Sequence, residues 1–253
     1  RYTPTWQDVL NYRSAVINNF NHIVPGNDLQ WHAFNGNGSA NPDAAYALAF
    51  ANGLTAGAVH VVWEKPEWPT PAEYRAGATF SAQDFHDELI TDRLSSTGIM
   101  NFYSDSGPGV TITDWNVLNE PLHVTHYSDT FETAGIYTSN IEAWADYFIR
   151  ARAIRPDARL LINDYNILNS ANDAATIQYR DLINSLLAAG APIDRIGLQA
   201  HIALNTITKA DIVRRLDILA ETGLTIEITE FDSRDDADQL TPAQQQQVVQ
   251  AML

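Results

Sequence analysis

At 253 residues and 45% hydrophobic composition, the chain can bury a sizeable core, and a single domain over residues 1–253 is expected. Its 15 Lys+Arg against 31 Asp+Glu give a formal charge of −16, which repels phosphate backbones and anionic surfaces, so neither nucleic acid nor membrane is expected as a partner. The absence of cysteine excludes disulfides, thiolate catalysis and Cys-based zinc sites.

In chain order, a segment at helical spacing (6–20) leads into a short apolar strand (22–25), and a second strand follows at 57–63. The run 114–119 is a third strand. A helix over 141–154 with apolar Ile141, Trp144, Ala145 and Phe148 is stopped by Pro156, and a strand follows at 159–163. A helix over 174–187, stopped by Gly190, precedes strands at 195–200 and 225–229, and a last helix covers 241–253. The glutamines at 244–247 belong to a solvated helix face, and there is no internal repeat. No apolar run approaches membrane-spanning length, and Arg1 opens a polar segment unlike a signal peptide, so a soluble chain is expected, any export signal having been removed or never included.

This alternation predicts parallel βαβ units and a TIM (β/α)8 barrel. Six strands are legible where a closed barrel has eight, and the chain opens and closes in helices. The expectation is therefore a barrel incomplete at both ends, with an open sheet as the alternative.

Active groups of such barrels lie at the C-terminal ends of the strands. Here the apolar runs end in Asn119-Glu120, Asn163-Asp-Tyr-Asn166, Gln199-Ala-His201 and Glu230-Phe-Asp232. A single strand-end carboxylate serves equally well as a helix N-cap, and a lone His201 reads more readily as a satisfied core histidine. Four polar strand ends in succession form a rim of carboxylates, amides and imidazole. Acetal hydrolysis needs two carboxyl groups, one to protonate the leaving oxygen and one to attack or stabilise the oxocarbenium-like centre. No His/Asp cluster has metal-ligand spacing, so no metal or cofactor is expected, and His123 and His126 read as loop residues on the aglycone side.

At these residues the chain resembles the family-10 glycoside hydrolases, the endo-β-1,4-xylanases. Trp115-Asn-Val-Leu-Asn-Glu120 is similar to that family's acid/base strand and Ile228-Thr-Glu-Phe-Asp232 to its nucleophile strand. Pro156-Asp-Ala-Arg-Leu-Leu-Ile-Asn-Asp-Tyr-Asn166 and Ile196-Gly-Leu-Gln-Ala-His201 match the segments between them. Asn-Glu-Pro alone is common to many sugar hydrolases, whereas the ordered set is specific.

The resemblance implies a retaining endo-β-glycosidase acting on internal β-1,4 linkages of xylan or a xylan-like polysaccharide. Glu230 is then the nucleophile and Glu120 the acid/base, with carboxyl groups about 5–5.5 Å apart. It also implies that Asn119 binds the sugar 2-hydroxyl, that His201 orients Glu230 and that Asp232 sets the charge on His201. Asn27, Trp63, Asn163, Tyr165 and Gln199 are the implied substrate-binding residues. A secreted or extracellular monomer with an oligo- or polysaccharide partner is expected.

The match fails on the second and third strands. The second reads Pro25-Gly-Asn-Asp-Leu-Gln-Trp31, with Gly26 and Gln30 where the family has Glu and Lys; on the third, Val59, Glu64 and Pro66 replace His, His and Gln. Strand alternation predicts that His60 points away from Val59. Glu64, Glu67 and Trp68 form either a replacement subsite or an exposed acidic loop, and Trp31 and Trp63 are candidates for sugar stacking. A hydrolase for another β-glycan, or a non-catalytic glycan-binding relative, is the alternative.

Overall fold

The computed structural model describes residues 6–103, 112–170, 172–202, 207–233 and 240–253. Its strands are β1 (His22–Ile23), β2 (Thr55–Ala58), β3 (Val62–Trp63), β4 (Asp114–Asn119), β5 (Arg159–Asp164), β6 (Arg195–Leu198) and β7 (Thr225–Ile228). The helices are α1 (Trp6–Asn19), α2 (Trp31–Asn37), α3 (Ala40–Ala51), α4 (Ala82–Arg93), α5 (Ile99–Phe102), α6 (His126–Thr133), α7 (Asn140–Ile154), α8 (Ala174–Ala188), α9 (Lys209–Ala220) and α10 (Pro242–Met252).

Every strand pairing is parallel, in the order β1-β2-β4-β5-β6-β7, and β3 also pairs with β4. β2 and β3 are two pieces of one strand interrupted at 59–61, so six strand positions are filled, as the sequence predicts. Among the described residues the sheet is open, with β1 and β7 as its edges and Val24 and Ile228 exposed beside them. This is the curved sheet of a TIM barrel with a gap between its edges.

β4 is buried along its whole length because both faces are covered. α7 packs on β4 and β5, and Trp144, Tyr147, Phe148 and Ala151 form its buried stripe. The opposite face of the sheet borders a cleft of about 220 Å³ lined by Val24, Gly57, Val59, Asn116, Leu161 and Glu230. Charges close the N-terminal end of the sheet. Asp114 pairs with Arg159 at 2.5 Å, and Arg195 lies 2.8 Å from Glu227. Several helices start on side-chain caps: Ser139 accepts from the Glu142 N–H, and Thr208 and Thr241 form reciprocal capping boxes with Asp211 and Gln244.

Candidate active site

The strand ends bring the predicted residues together. Glu120 follows β4 in a left-handed backbone conformation (φ 58°), and its N–H donates to the Asn163 carbonyl at 2.7 Å. Asn166 (φ 59°) and Ala200 (φ 57°) take the same conformation beyond β5 and β6. For residues with a Cβ this costs on the order of 1–3 kcal/mol each, and such strain concentrates where side chains must be aimed.

Glu120 is 9% exposed. Trp63 Nε1 donates to its Oε2 and Gln199 Nε2 to its Oε1, both at 2.9 Å. Burial pushes its carboxyl above the ordinary glutamate value, and the charge of nearby Asp164 adds to this. The two donors and Lys65 pull the other way without cancelling it.

Glu230 stands in a wetter place, its side chain 35% exposed. Asn163 Nδ2 donates to its Oε1 at 3.0 Å, and His201 Nε2 lies 3.4 Å from its Oε2. His201 Nδ1 lies 3.1 Å from Asp232 Oδ2, and the two residues also form an isolated parallel β-bridge. Asn163 donates equally to Asn119 Oδ1 at 3.0 Å, tying the β4 end to the β7 end. Its own Oδ1 accepts from Thr229 Oγ1 at 2.8 Å. A Cβ at residue 197 would come within 2.6 Å of Asn163 Oδ1, so Gly197 leaves the space this amide occupies.

Asp164 is fully buried and accepts from the N–H groups of Leu122 (3.0 Å) and Tyr165 (2.8 Å). His123 Nε2 lies 3.2 Å from it, and the His123 ring stacks on Tyr165 with centroids 3.8 Å apart. The Asp164 carboxylate raises the pKa of His123. Asp164, Thr229 and Gly197 lie inside the motifs, but periodicity does not single them out; their partners come from other strands.

Several expectations on the second and third strands need correction. Glu64 is neither a subsite nor part of an exposed loop: it is fully buried and accepts from Ser128 N–H (3.1 Å), Ser128 Oγ (2.6 Å), Trp144 Nε1 (3.1 Å) and Tyr147 OH (3.2 Å). Burial outweighs these four donors and pushes its carboxyl up to about 7. Glu67 and Trp68 are exposed. Trp31 is core, 3% exposed and stacked on Phe85, with its Nε1 donating to Asp92. Val59 and His60 both line the cleft, and the chain between β2 and β3 does not continue the pleat on which alternation rests. Asn27 is exposed at the rim of that cleft and accepts from Gln30 Nε2 at 2.7 Å.

The model of glycosyl hydrolase family 10 matches residues 3–253. The chain belongs to that family. An endo-beta-1,4-xylanase of Cellvibrio japonicus is 28% identical over 228 residues, covering 87% of this chain, and endo-1,4-beta-xylanase C of Phanerodontia chrysosporium is 27% identical over 225 residues, covering 85%. The chain spans 36% and 51% of the lengths of these two family-10 relatives. Among solved structures, a Cellvibrio japonicus xylanase in complex with xylopentaose superimposes with a TM-score of 0.75 at 27% identity, covering 95% of this chain and 49% of that one. The sheet described above is accordingly that of a family-10 barrel. No helix among the described residues is long and apolar enough to cross a membrane.

Proposed function

We propose that the chain carries the catalytic centre of a retaining endo-β-glycosidase that cleaves internal β-1,4 linkages of xylan or a xylan-like polysaccharide. The contrast between its two carboxyl groups carries the reading. Glu120 is buried with a raised pKa, as an acid that must hold its proton requires, whereas Glu230 is more exposed and faces the Asn163 amide and the His201–Asp232 pair.

In the first step Glu230 attacks the anomeric carbon while the Glu120 proton moves to the departing glycosidic oxygen. That leaves a glycosyl ester on Glu230 and an ionised Glu120. In the second, Glu120 takes a proton from water, the resulting nucleophile displaces Glu230, and both groups return to their starting states. Asn119 binds the sugar 2-hydroxyl, and Tyr165, stacked on His123, offers an aromatic face beside the acid/base. The substrate places the protein outside the cell, where it acts as a monomer.

Product release from xylan, glucan and mannan oligosaccharides tests this, with Glu230→Ala and Glu120→Ala beside the parent. Glu230→Ala should abolish turnover on every substrate. Glu120→Ala should lose about 10²–10⁴-fold on unactivated oligosaccharides and much less on aryl glycosides whose leaving group needs no proton. Parent-like rates in both variants would reject the assignment. Binding of an oligosaccharide without product from the parent would favour a glycan-binding relative, the reading prompted by Gly26, Gln30 and Val59.

A further inference from the structure

Gln30 Oε1, Asn116 Oδ1 and Asn119 Nδ2 are buried polar atoms without a hydrogen-bond partner among the described residues. All belong to the β1–β4 side of the site. Buried groups left unpaired cost about 1–3 kcal/mol each, and of these three residues Asn116 lines the cleft.

The hydrogen-bond polarity of this region follows from Glu230. An ionised carboxylate only accepts, so Asn163 must present Nδ2 to it, and Asn163 Oδ1 then takes the Thr229 hydroxyl. The same Nδ2 donates to Asn119, so Asn119 presents Oδ1. Asn116 Nδ2 lies 3.4 Å from that Oδ1 and 2.8 Å from His60 Nδ1. Turning the Asn116 amide over would set its oxygen against the Asn119 oxygen. Asn116 therefore donates to His60, whose Nδ1 accepts, and the proton of the neutral ring sits on Nε2.

His60 Nε2 has no hydrogen-bond partner among the described residues, and His60 and Glu230 line the same cleft. We propose that His60 is a substrate-binding residue whose Nε2–H donates to a ring hydroxyl of a β-linked pyranose chain seated beside Glu230. The inference rests on the glycosidase reading above. A sugar hydroxyl both accepts and donates: its lone pairs meet the Nε2–H, and its own proton is left to solvent or to a neighbouring sugar oxygen. An imidazole missing at Val59 is thus provided by the next residue, from a different backbone position. Burial holds the ring neutral, lowering its pKa to about 3 against the opposing effect of the Asn116 hydrogen bond, and the charge of Arg93, whose Nη2 donates to the His60 carbonyl at 2.7 Å, acts with burial.

The test uses xylotetraose. Its steady-state hydrolysis is measured for the parent, His60→Phe and His60→Gln, and its binding by calorimetry for the same substitutions on a Glu120→Ala background that blocks turnover. His60→Phe should raise KM and Kd by about threefold to tenfold with kcat nearly unchanged, because a contact kept from ground state to transition state is lost from both. His60→Gln, which can accept from Asn116 and donate into the cleft, should recover most of the loss. Asn116→Asp should make KM depend on pH, since a carboxylate beside Nδ1 favours the imidazolium. Equal KM and Kd in the parent and His60→Phe would overturn the proposal while leaving the proposed reaction intact. A fall in kcat alone would also overturn it, showing that His60 acts only through Asn116 and Asn119. Failure of the Glu120→Ala parent to bind xylotetraose, with no cleavage by the unsubstituted protein, would reject the xylan reading and this inference together.

Discussion

On the β4–β7 side of the strand-end rim, Glu120, Asn163, Gln199, His201, Glu230 and Asp232 bind one another across four strands. On the β1–β3 side, Gln30 Oε1 has no partner among the described residues, Asn27 is exposed, and Val59 stands where the family places a histidine. The two sides answer different demands. Groups that move protons must be held by fixed neighbours whatever glycan arrives, whereas groups that read sugar hydroxyls are completed by the ligand and can change with it. On the proposed function, divergence is then concentrated on the side that would set specificity, while the other side is joined by hydrogen bonds.

The connected side breaks most easily at Gly197. A methyl group there would meet Asn163 Oδ1 at 2.6 Å and the Ile162 carbonyl at 3.1 Å, and Asn163 positions both Asn119 and Glu230. Gly197→Ala should lower kcat/KM on an aryl xylobioside by about 10²-fold, the scale expected of a misplaced reacting group. Gly36→Ala, where nothing lies within 4 Å, should leave it unchanged and serves as the control. Equal activity in the two variants would show that Asn163 tolerates displacement and that the contrast between the sides is weaker than drawn.

The other side should break through its scaffold. Glu64 bolts the end of β3 to α6 and α7 through four donors, and Gln in its place leaves at least one of the Ser128 and Trp144 N–H groups unpaired. Glu64→Gln should cost about 1–3 kcal/mol in urea unfolding. The pH dependence has a definite sign. With a folded pKa of about 7 against an ordinary value of 4.5, the native state holds the proton more tightly. The associated stability is fully present below pH 4.5 and is lost as pH rises toward 7. Glu64→Gln should remove that decline, and an unaltered slope would place it on another group.

The chain-order pattern reveals all six strand positions because each is a short apolar run closed by polar residues, even at the edge strand β7, where no residue is buried. Glu120, Asn119, Asn163, Gln199, His201 and Glu230 stand out as candidates for the same reason: they end those runs or immediately follow them. Legibility ends where a strand is interrupted. Alternation gives no guide to His60, because the pleat stops after Ala58 and resumes at Val62. Glu64 reads as an exposed loop acid because its four partners lie on α6 and α7, more than sixty residues away, where no local pattern announces them.

Trp63 belongs to both sides, since it ends β3 yet donates to Glu120, and the smallest expected effect lies there. Its indole N–H favours the ionised form of Glu120, opposing the burial that raises the pKa. Trp63→Phe removes that donor and keeps an aromatic face. The Glu120 pKa should then rise further, so the alkaline limb of kcat/KM, where the acid loses its proton, should move to higher pH. At the optimum, kcat/KM should fall by no more than about tenfold, the scale of a single hydrogen bond. A limb moving to lower pH would mean that Trp63 acts on Glu120 mainly by excluding water, because its loss would then relieve the desolvation that raises the pKa. An unmoved limb with a raised KM would assign Trp63 to the sugar-reading side alone.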